Sequence, residues 1–415
     1  MRRLLLALPL IAGLPVQADS WNFDDKIAVS QNIEAGVFQH LDSSGRKNIA
    51  VSGKTLAVVW EDNRSGASQT YVAFKKLEAN EFSKEQRIST GKSAFTPAIL
   101  ALGGDRFLAG WEQDGAVWLR TVSPTGLGPA LQISQAEAGQ VALATTDGQN
   151  IIAAWSQRAG RFNRIVTAMM KTGARGEIIT ARAPRPVDPE SPVDDQSLPA
   201  VALTKNGVTV VWEDRRRRHT VLLYSHAPTN MNFSAPQPLN ELVQKSEQYG
   251  RGSGVTRVAL SVFGNDQIAA TWMDKRGYQT GYDIYAAFSR DGGTSFDANE
   301  LVQDAFAEQY AQWHPAIAGD ASGQVIVAWD DDRDGASNIW LAWKTRGGWS
   351  ANFAPPPAAS SNRQQTNPAI TLDTQGNLHL VWLEQETENS PGRVMYAVGR
   401  YLCDPQPPRA ASSAK

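Results

Sequence analysis

Short hydrophobic runs alternate with polar turns along almost the whole chain, and one phrase recurs. Residues 324–342, QVIVAWDDDRDGASNIWLA, are an apolar run ending in Trp329, an acidic turn with Arg333 and Gly335, and a second apolar run. The same pattern surrounds Trp60, Trp212 and Trp272, and copies lacking the Asp–Arg pair surround Trp111, Trp155 and Trp382. These tryptophans recur about every 54 residues, in the range of propeller-type repeats. The chain is therefore predicted to hold seven copies of one β unit.

Each copy predicts four strands. A first strand is entered by proline at Pro97, Pro199, Pro315 and Pro368, tolerated because a first residue needs no ladder N–H. A turn rich in Gly, Asn and Asp follows, which is hairpin chemistry, and the second strand ends in the tryptophan. The third strand carries an aromatic at Tyr71, Trp118, Tyr224, Tyr285, Trp340 or Tyr396, and the fourth is less apolar. Near-continuous Val, Ile and Ala in the first two strands fits sheets covered on both faces. Polarity rising outward over four antiparallel strands is the anatomy of a propeller blade. The fold class predicted is all-β, a seven-bladed β-propeller of four-stranded antiparallel blades. Residues 21–31, WNFDDKIAVSQ, read as a fourth strand with no partners before it, and the unit at Trp382 lacks its own fourth strand. The N-terminal strand should complete the last blade and leave no open sheet edge there. Six blades plus a separate repeat is the competing count, and the unit at Trp155 is the least regular.

Composition changes little in this picture. The 415 residues carry 40 Lys+Arg against 42 Asp+Glu, so no global charge points to nucleic acid. Residues 1–18 have two arginines, an apolar run too short to span a bilayer, and a small-residue site ending at Ala18, the pattern of a signal peptide. The expected organisation is a signal peptide at 1–18, one propeller domain at 19–403 and a disordered tail at 404–415. The expected location is periplasmic or secreted, without a membrane span. Cys403 is the only cysteine, so no internal disulfide can form and the core must hold by packing.

Candidate chemistry lies on loops. Long inserts at 183–196, 243–254 and 304–314 join one unit to the next, and extended loops on a rigid scaffold are where function concentrates. They supply Tyr249, Arg251, Trp313 and His314 as candidate binding residues. The tryptophans themselves read as interblade core. The Asp–x–Arg pairs, Asp62 with Arg64, Asp214 with Arg216, Asp274 with Arg276 and Asp331 with Arg333, have two readings. Each can be a turn whose aspartate holds backbone N–H groups and its arginine, or the arginines can share a mouth and bind a carboxylate or sulfate. Propeller topology puts these turns on the same face as the inserts. Asp330, Asp332 and Asp334 spell DxDxDG, a spacing that can wrap Ca²⁺, yet the last ligand position is Leu341, so no EF-hand is present. No other cofactor is expected. Arg215–Arg218 with His219 could be a polyanion patch or a solvated loop. No histidine pair has metal spacing, and GxSxG, HExxH, CxxC and phosphate-loop signatures are absent.

Ser289, Asp291 and Gly293, followed by Ser295 and Phe296, resemble the Asp-box of sialidase-like propellers, S-x-D-x-G-x-T-W. Degenerate relatives stand at 344–350 and 225–233. The resemblance implies a peripheral turn between third and fourth strands with Asp291 structural, and an activity of exo-α-sialidase type. The family's Arg-Ile-Pro motif is missing here, and no pair of catalytic carboxylates is identifiable. The expectation is a binding or scaffold module for an envelope or extracellular protein or a glycan. The alternative is a sialidase-like glycoside hydrolase or lyase.

Overall fold

The computed structural model describes residues 20–402, apart from 32–35, 43–45, 174–175, 218, 229–230, 242–253, 277–280, 308, 360–361 and 388–389. The proposed signal peptide, Cys403 and the tail lie outside the described residues, as do Tyr249, Arg251 and Arg218. Seven antiparallel sheets succeed one another along the chain, one for each tryptophan repeat. We number them as blades 1–7 in the order Trp60, Trp111, Trp155, Trp212, Trp272, Trp329 and Trp382. Blade 4 shows the plan, with inner strand Gln196–Thr204, second strand Gly207–Asp214, third strand Val221–Ala227 and outer strand Gln237–Pro238. Among the described residues there is no α-helix, so none is long and apolar enough to cross a membrane. The six-blade alternative is excluded by the seventh sheet.

The ring closes as the sequence predicts. Ser20–Phe23 pairs antiparallel with the third strand of blade 7, Arg393–Leu402, and Ile27–Ala28 continues along it opposite Tyr396 and Met395. Trp21, almost fully buried, packs edge-on against Trp343 of blade 6 at 6.4 Å and against Tyr401 at 5.2 Å. The first described strand thus seals the last sheet.

The core is seven interblade layers rather than one central mass. Each repeat tryptophan is at most 1% exposed. Trp60 packs with Ala369, Val381 and Tyr396 of blade 7, and Trp111 with Val59, Val72 and Phe74 of blade 1. The same step repeats round to Trp382, which packs on Ile326, Ala328 and Leu341 of blade 6. Close packing of this kind makes each indole worth about 3–5 kcal/mol against alanine.

Two strand-level expectations change. The prolines do not open the inner strands, which begin three or four residues earlier; each follows a bulged residue inside the strand, as at Ala94–Gly103 and Gln312–Gly319. An inner strand has the bore on one side and a bulge interrupts its ladder on the other, so no N–H is needed there. The third-strand aromatics fall into two classes. Tyr71, Trp118, Tyr285 and Trp340 stand directly opposite their tryptophans, whereas Tyr224 and Tyr396 are one residue out of register. One residue in a strand is a change of face, and Tyr396 accordingly meets blade 1, edge-on to Phe82 at 5.4 Å.

The turn at Ser289 lies at the periphery, between Asp283–Ser289 and the outer strand Glu300–Leu301. The backbone N–H groups of Thr294 and Ser295 donate to Asp291 Oδ1, and the Ser289 hydroxyl donates to it at 2.8 Å. Burial alone would raise the Asp291 carboxyl, but these donors and the Ser295 hydroxyl bring it down to about 2.

Candidate functional site at the mouth of the ring

The inner strands all enter from one face, and at that face the chain repeats an unusual backbone. Thr96, Gln140, Leu198, Arg257, His314 and Asn367 occupy the same position in blades 2–7, and all have φ between 48° and 62°. Left-handed backbone at a non-glycine residue costs about 1–2 kcal/mol, so something must hold it. In five of the six the bulged N–H has a side-chain acceptor. Thr96, Gln140, Arg257 and Asn367 donate to Glu61, Glu112, Glu213 and Asp330 of the preceding blade, at 2.6–2.9 Å, and Leu198 donates to Gln140 Oε1. Each of these four carboxylates is the residue directly after the repeat tryptophan. Burial pushes the Glu61 and Glu213 carboxyls above the usual carboxylate range, despite their hydrogen bonds. This acidic ring escaped the sequence reading, although its signal was present in the pairs Trp60-Glu61, Trp111-Glu112, Trp212-Glu213 and Trp329-Asp330.

Blade 1 departs from the pattern and shapes the mouth. His40 pairs with Glu61 and Ile49 with Val58, so Leu41, Asp42, Arg46, Lys47 and Asn48 lie outside the regular ladder between those pairs. This excursion reaches across the ring. Arg46 Nε donates to Asp42 Oδ2 at 2.9 Å, and Arg257 Nη1 of blade 5 donates to Asp42 Oδ1 at 3.1 Å. Burial would raise Asp42, but Arg46 and Arg257 outweigh it and hold the carboxyl low. Lys47, exposed to solvent, has its ammonium lowered by desolvation from the protein around it.

The aromatic side of the mouth belongs to blades 5 and 6. Trp313 is 40% exposed, with Tyr282 edge-on at 5.3 Å and Lys275 Nζ 5.8 Å from the Tyr282 ring centre. Next to it, His314 Nδ1 lies 2.9 Å from Asp330 Oδ1, the carboxylate that also caps Asn367. Phe95 occupies the Trp313 position in blade 2, and Phe306 and Tyr310 in the adjoining insert are also exposed.

The sequence candidates divide sharply. Trp313 and His314 are at the mouth, together. The four Asp–Arg pairs are not gathered there: they sit at four separate seams, each arginine held by its own aspartate and by the outer part of the ring. Asp62, Asp214, Asp274 and Asp331 each accept the indole N–H of the tryptophan two residues before, at 3.0–3.1 Å. Arg64 then bonds Asp62, Glu85 and Ser30, and Arg216 bonds Asp214 and Asp188. Arg276 bonds Asp274, Glu241 and Asn299, while Arg333 bonds Asp331, Asp304 and Asn352. Three guanidiniums also lie over an aromatic ring, Arg64 on Tyr71, Arg276 on Tyr285 and Arg333 on Trp340, at 3.8–4.4 Å. Blades 2 and 3 use Gln113 and Gln157 as the indole acceptor at 3.2 and 3.3 Å, without an arginine. The two arginines that do meet at the centre, Arg46 and Arg257, carried no motif. Asp330 faces inward to His314 and Asn367, whereas Asp332 and Asp334 are exposed in the turn. Among the described residues no three His, Cys, Asp or Glu side chains are grouped as a metal site.

No family model matches the chain, and no curated protein resembles it in sequence. Solved structures do resemble it in fold. The polysaccharide lyase Uly1 superposes with TM-score 0.55 at 8% identity, covering 86% of this chain and 90% of that one. A protein of unknown function from Dyadobacter fermentans gives 0.52 at 10% identity, over 92% of this chain and 99% of that one. The β-propeller domain of the Trilobed protease from Pyrococcus furiosus gives 0.51 at 12% identity, over 89% and 100%. At such identities the likeness is one of fold, a β-propeller.

Proposed function

We propose that the protein is a binding module that takes a glycan at the mouth of the ring. The observation that carries this is Trp313, an exposed indole on a rigid scaffold, braced edge-on by Tyr282 and flanked by His314 and Asp330. A sugar ring presents C–H groups on its face and hydroxyls on its rim. It therefore suits a flat apolar surface bordered by hydrogen-bonding groups, the pattern of small-ligand sites in general. The expected site is periplasmic or extracellular, in keeping with residues 1–18.

The test is a glycan array followed by calorimetric titration of any hit. Trp313→Ala should weaken binding by about tenfold, the equivalent of about 1.4 kcal/mol, with an unchanged circular dichroism spectrum. An array without hits, or equal affinity in the variant, refutes the proposal.

A sialidase-like hydrolase or lyase is the second reading, favoured by the Asp-box-like turn at Asp291 and by the high carboxyl of Glu213. A general acid needs a carboxyl with a raised pKa, and burial shifts Glu213 in that direction. Turnover of a sialoside by the wild type, abolished in Glu213→Gln, would promote this reading over simple binding.

A further inference from the structure

Blade 3 breaks the repeat twice, and the two breaks adjoin. Its outer strand, Ile178–Pro186, has 9 residues, whereas the outer strands of blades 1, 4, 5 and 6 have 2. Every residue of this strand after Ile178 is exposed. As the last strand of its sheet it has no strand beyond it. An exposed edge is a template for another strand where bulges and prolines do not blunt it, and here the regular run is Ile178, Ile179 and Thr180.

The second break is a vacancy. At the place of the clamp arginine blade 3 has Ala159, and opposite Trp155 it has Val166 in place of an aromatic. Beside Trp155 and Val166 lies a cavity of about 530 Å³. Trp155, Gln157 and Val166 line it together with Ile133 of blade 2, and Pro184 and Pro186 of the long strand form one wall.

We propose that this edge and cavity dock an extended acidic peptide segment of another protein, which adds as a fifth strand and seats one side chain in the cavity. Strand addition supplies main-chain bonds, and a pocket for an alternate side chain supplies selectivity. Register favours the N-terminal half, since Ile178, Ile179 and Thr180 pair regularly with Thr172, Lys171 and Met170 before the first bulge. Ile179, 47% exposed, is free to meet an apolar side chain there. Charge selects the occupant. The strand carries Arg182 and Arg185 and no acidic residue, and Lys171 stands opposite Ile179. A second copy pairing edge to edge would set arginine against arginine. The chain's own C-terminal segment, with Asp404 against Arg409 and Lys415, is not acidic.

The probe is a fluorescein-labelled peptide of alternating glutamate and valine, with a lysine–valine peptide as its counterpart. The acidic peptide should raise polarisation and the basic one should not. Hydrogen–deuterium exchange at residues 178–182 should slow on adding the acidic peptide. Arg182→Glu/Arg185→Glu should weaken binding about tenfold through like-charge repulsion, and Gln135→Trp, which fills the cavity from its exposed rim, should weaken it with the strand intact. Absence of binding, equal binding of both peptides, or slowed exchange confined to another part of the ring would overturn the proposal. So would an unliganded dimer in sedimentation that Arg182→Glu/Arg185→Glu leaves intact. Glycan binding at the mouth is measured separately and stands or falls alone.

Discussion

Replacing Asp331 by alanine should destabilise the ring strongly. The carboxylate is fully buried and accepts from Trp329 Nε1 at 3.0 Å, from the Arg333 backbone N–H at 3.1 Å and from Arg333 Nε at 2.9 Å. Its loss strands a buried indole N–H, at about 1–3 kcal/mol, and a guanidinium with only 4% of its side chain exposed. Removing one partner of a buried pair costs about 3–5 kcal/mol. Asp304 and Asn352 still hold the Arg333 head group, so the lower part of the combined range, ~4 kcal/mol, is the expectation. At ~2.1 cal/mol/K per residue over roughly 350 described residues, the unfolding entropy is ~0.7 kcal/mol/K and Tm should fall by ~5 °C. Calorimetry on Asp331→Ala, Arg333→Met and the double variant is the assay. Removing both charges leaves the indole and the backbone N–H of residue 333 without their acceptor but no unpaired guanidinium, so the double variant should be more stable than Asp331→Ala alone. A loss under about 1 kcal/mol in the single variant would refute the clamp. A double variant equal to the sum of the singles would do the same, and would return these arginines to the list of ligand-binding candidates.

Trp21→Ala should cost about 3–5 kcal/mol in urea titration, because Trp21 plugs the seam between the N-terminal strand, blade 7 and Trp343. A loss below 1 kcal/mol would mean that ring closure contributes little beyond its backbone pairing. Glu213→Gln should alter the pH profile in one direction only. The folded carboxyl is raised, so its ionisation weighs on the fold above the folded pKa and that burden disappears as pH falls to the unfolded value near 4.5. The glutamine keeps an acceptor for Thr256 and Arg257, so the variant should gain stability relative to wild type at pH 8 and not at pH 4. Melting curves at the two pH values decide it, and a gain that is greater at pH 4 contradicts the sign.

Much of the architecture was legible because the repeat tryptophan and the turn after it are dictated by the same local need in every blade. An indole must be buried against the preceding sheet, and its N–H needs an acceptor. In six blades that acceptor is the residue two places on, so Trp60-Asp62 and Trp329-Asp331 look alike in sequence and in space, whereas the Trp382 indole N–H of blade 7 has no partner among the described residues. The surplus strand at Trp21 and the deficit after Trp382 were legible for a similar reason, since an unpaired edge has to be satisfied somewhere. The two readings of the Asp–x–Arg pairs could not be separated in one dimension. Arginine reach and the position of Asp188, Glu241 or Asp304 in the neighbouring loop decide which way the guanidinium turns.

The mouth belongs to tertiary structure. Asp42 and Arg257 are 215 residues apart and meet only because the ring brings blade 1 opposite blade 5. Trp313 and Trp329 are both tryptophans at strand ends, yet one is exposed and the other is not. Local pattern sets which residues alternate between the faces of a sheet and where a strand must stop. Which faces end up covered depends on how seven sheets close into a circle, and closure is a property of the whole chain.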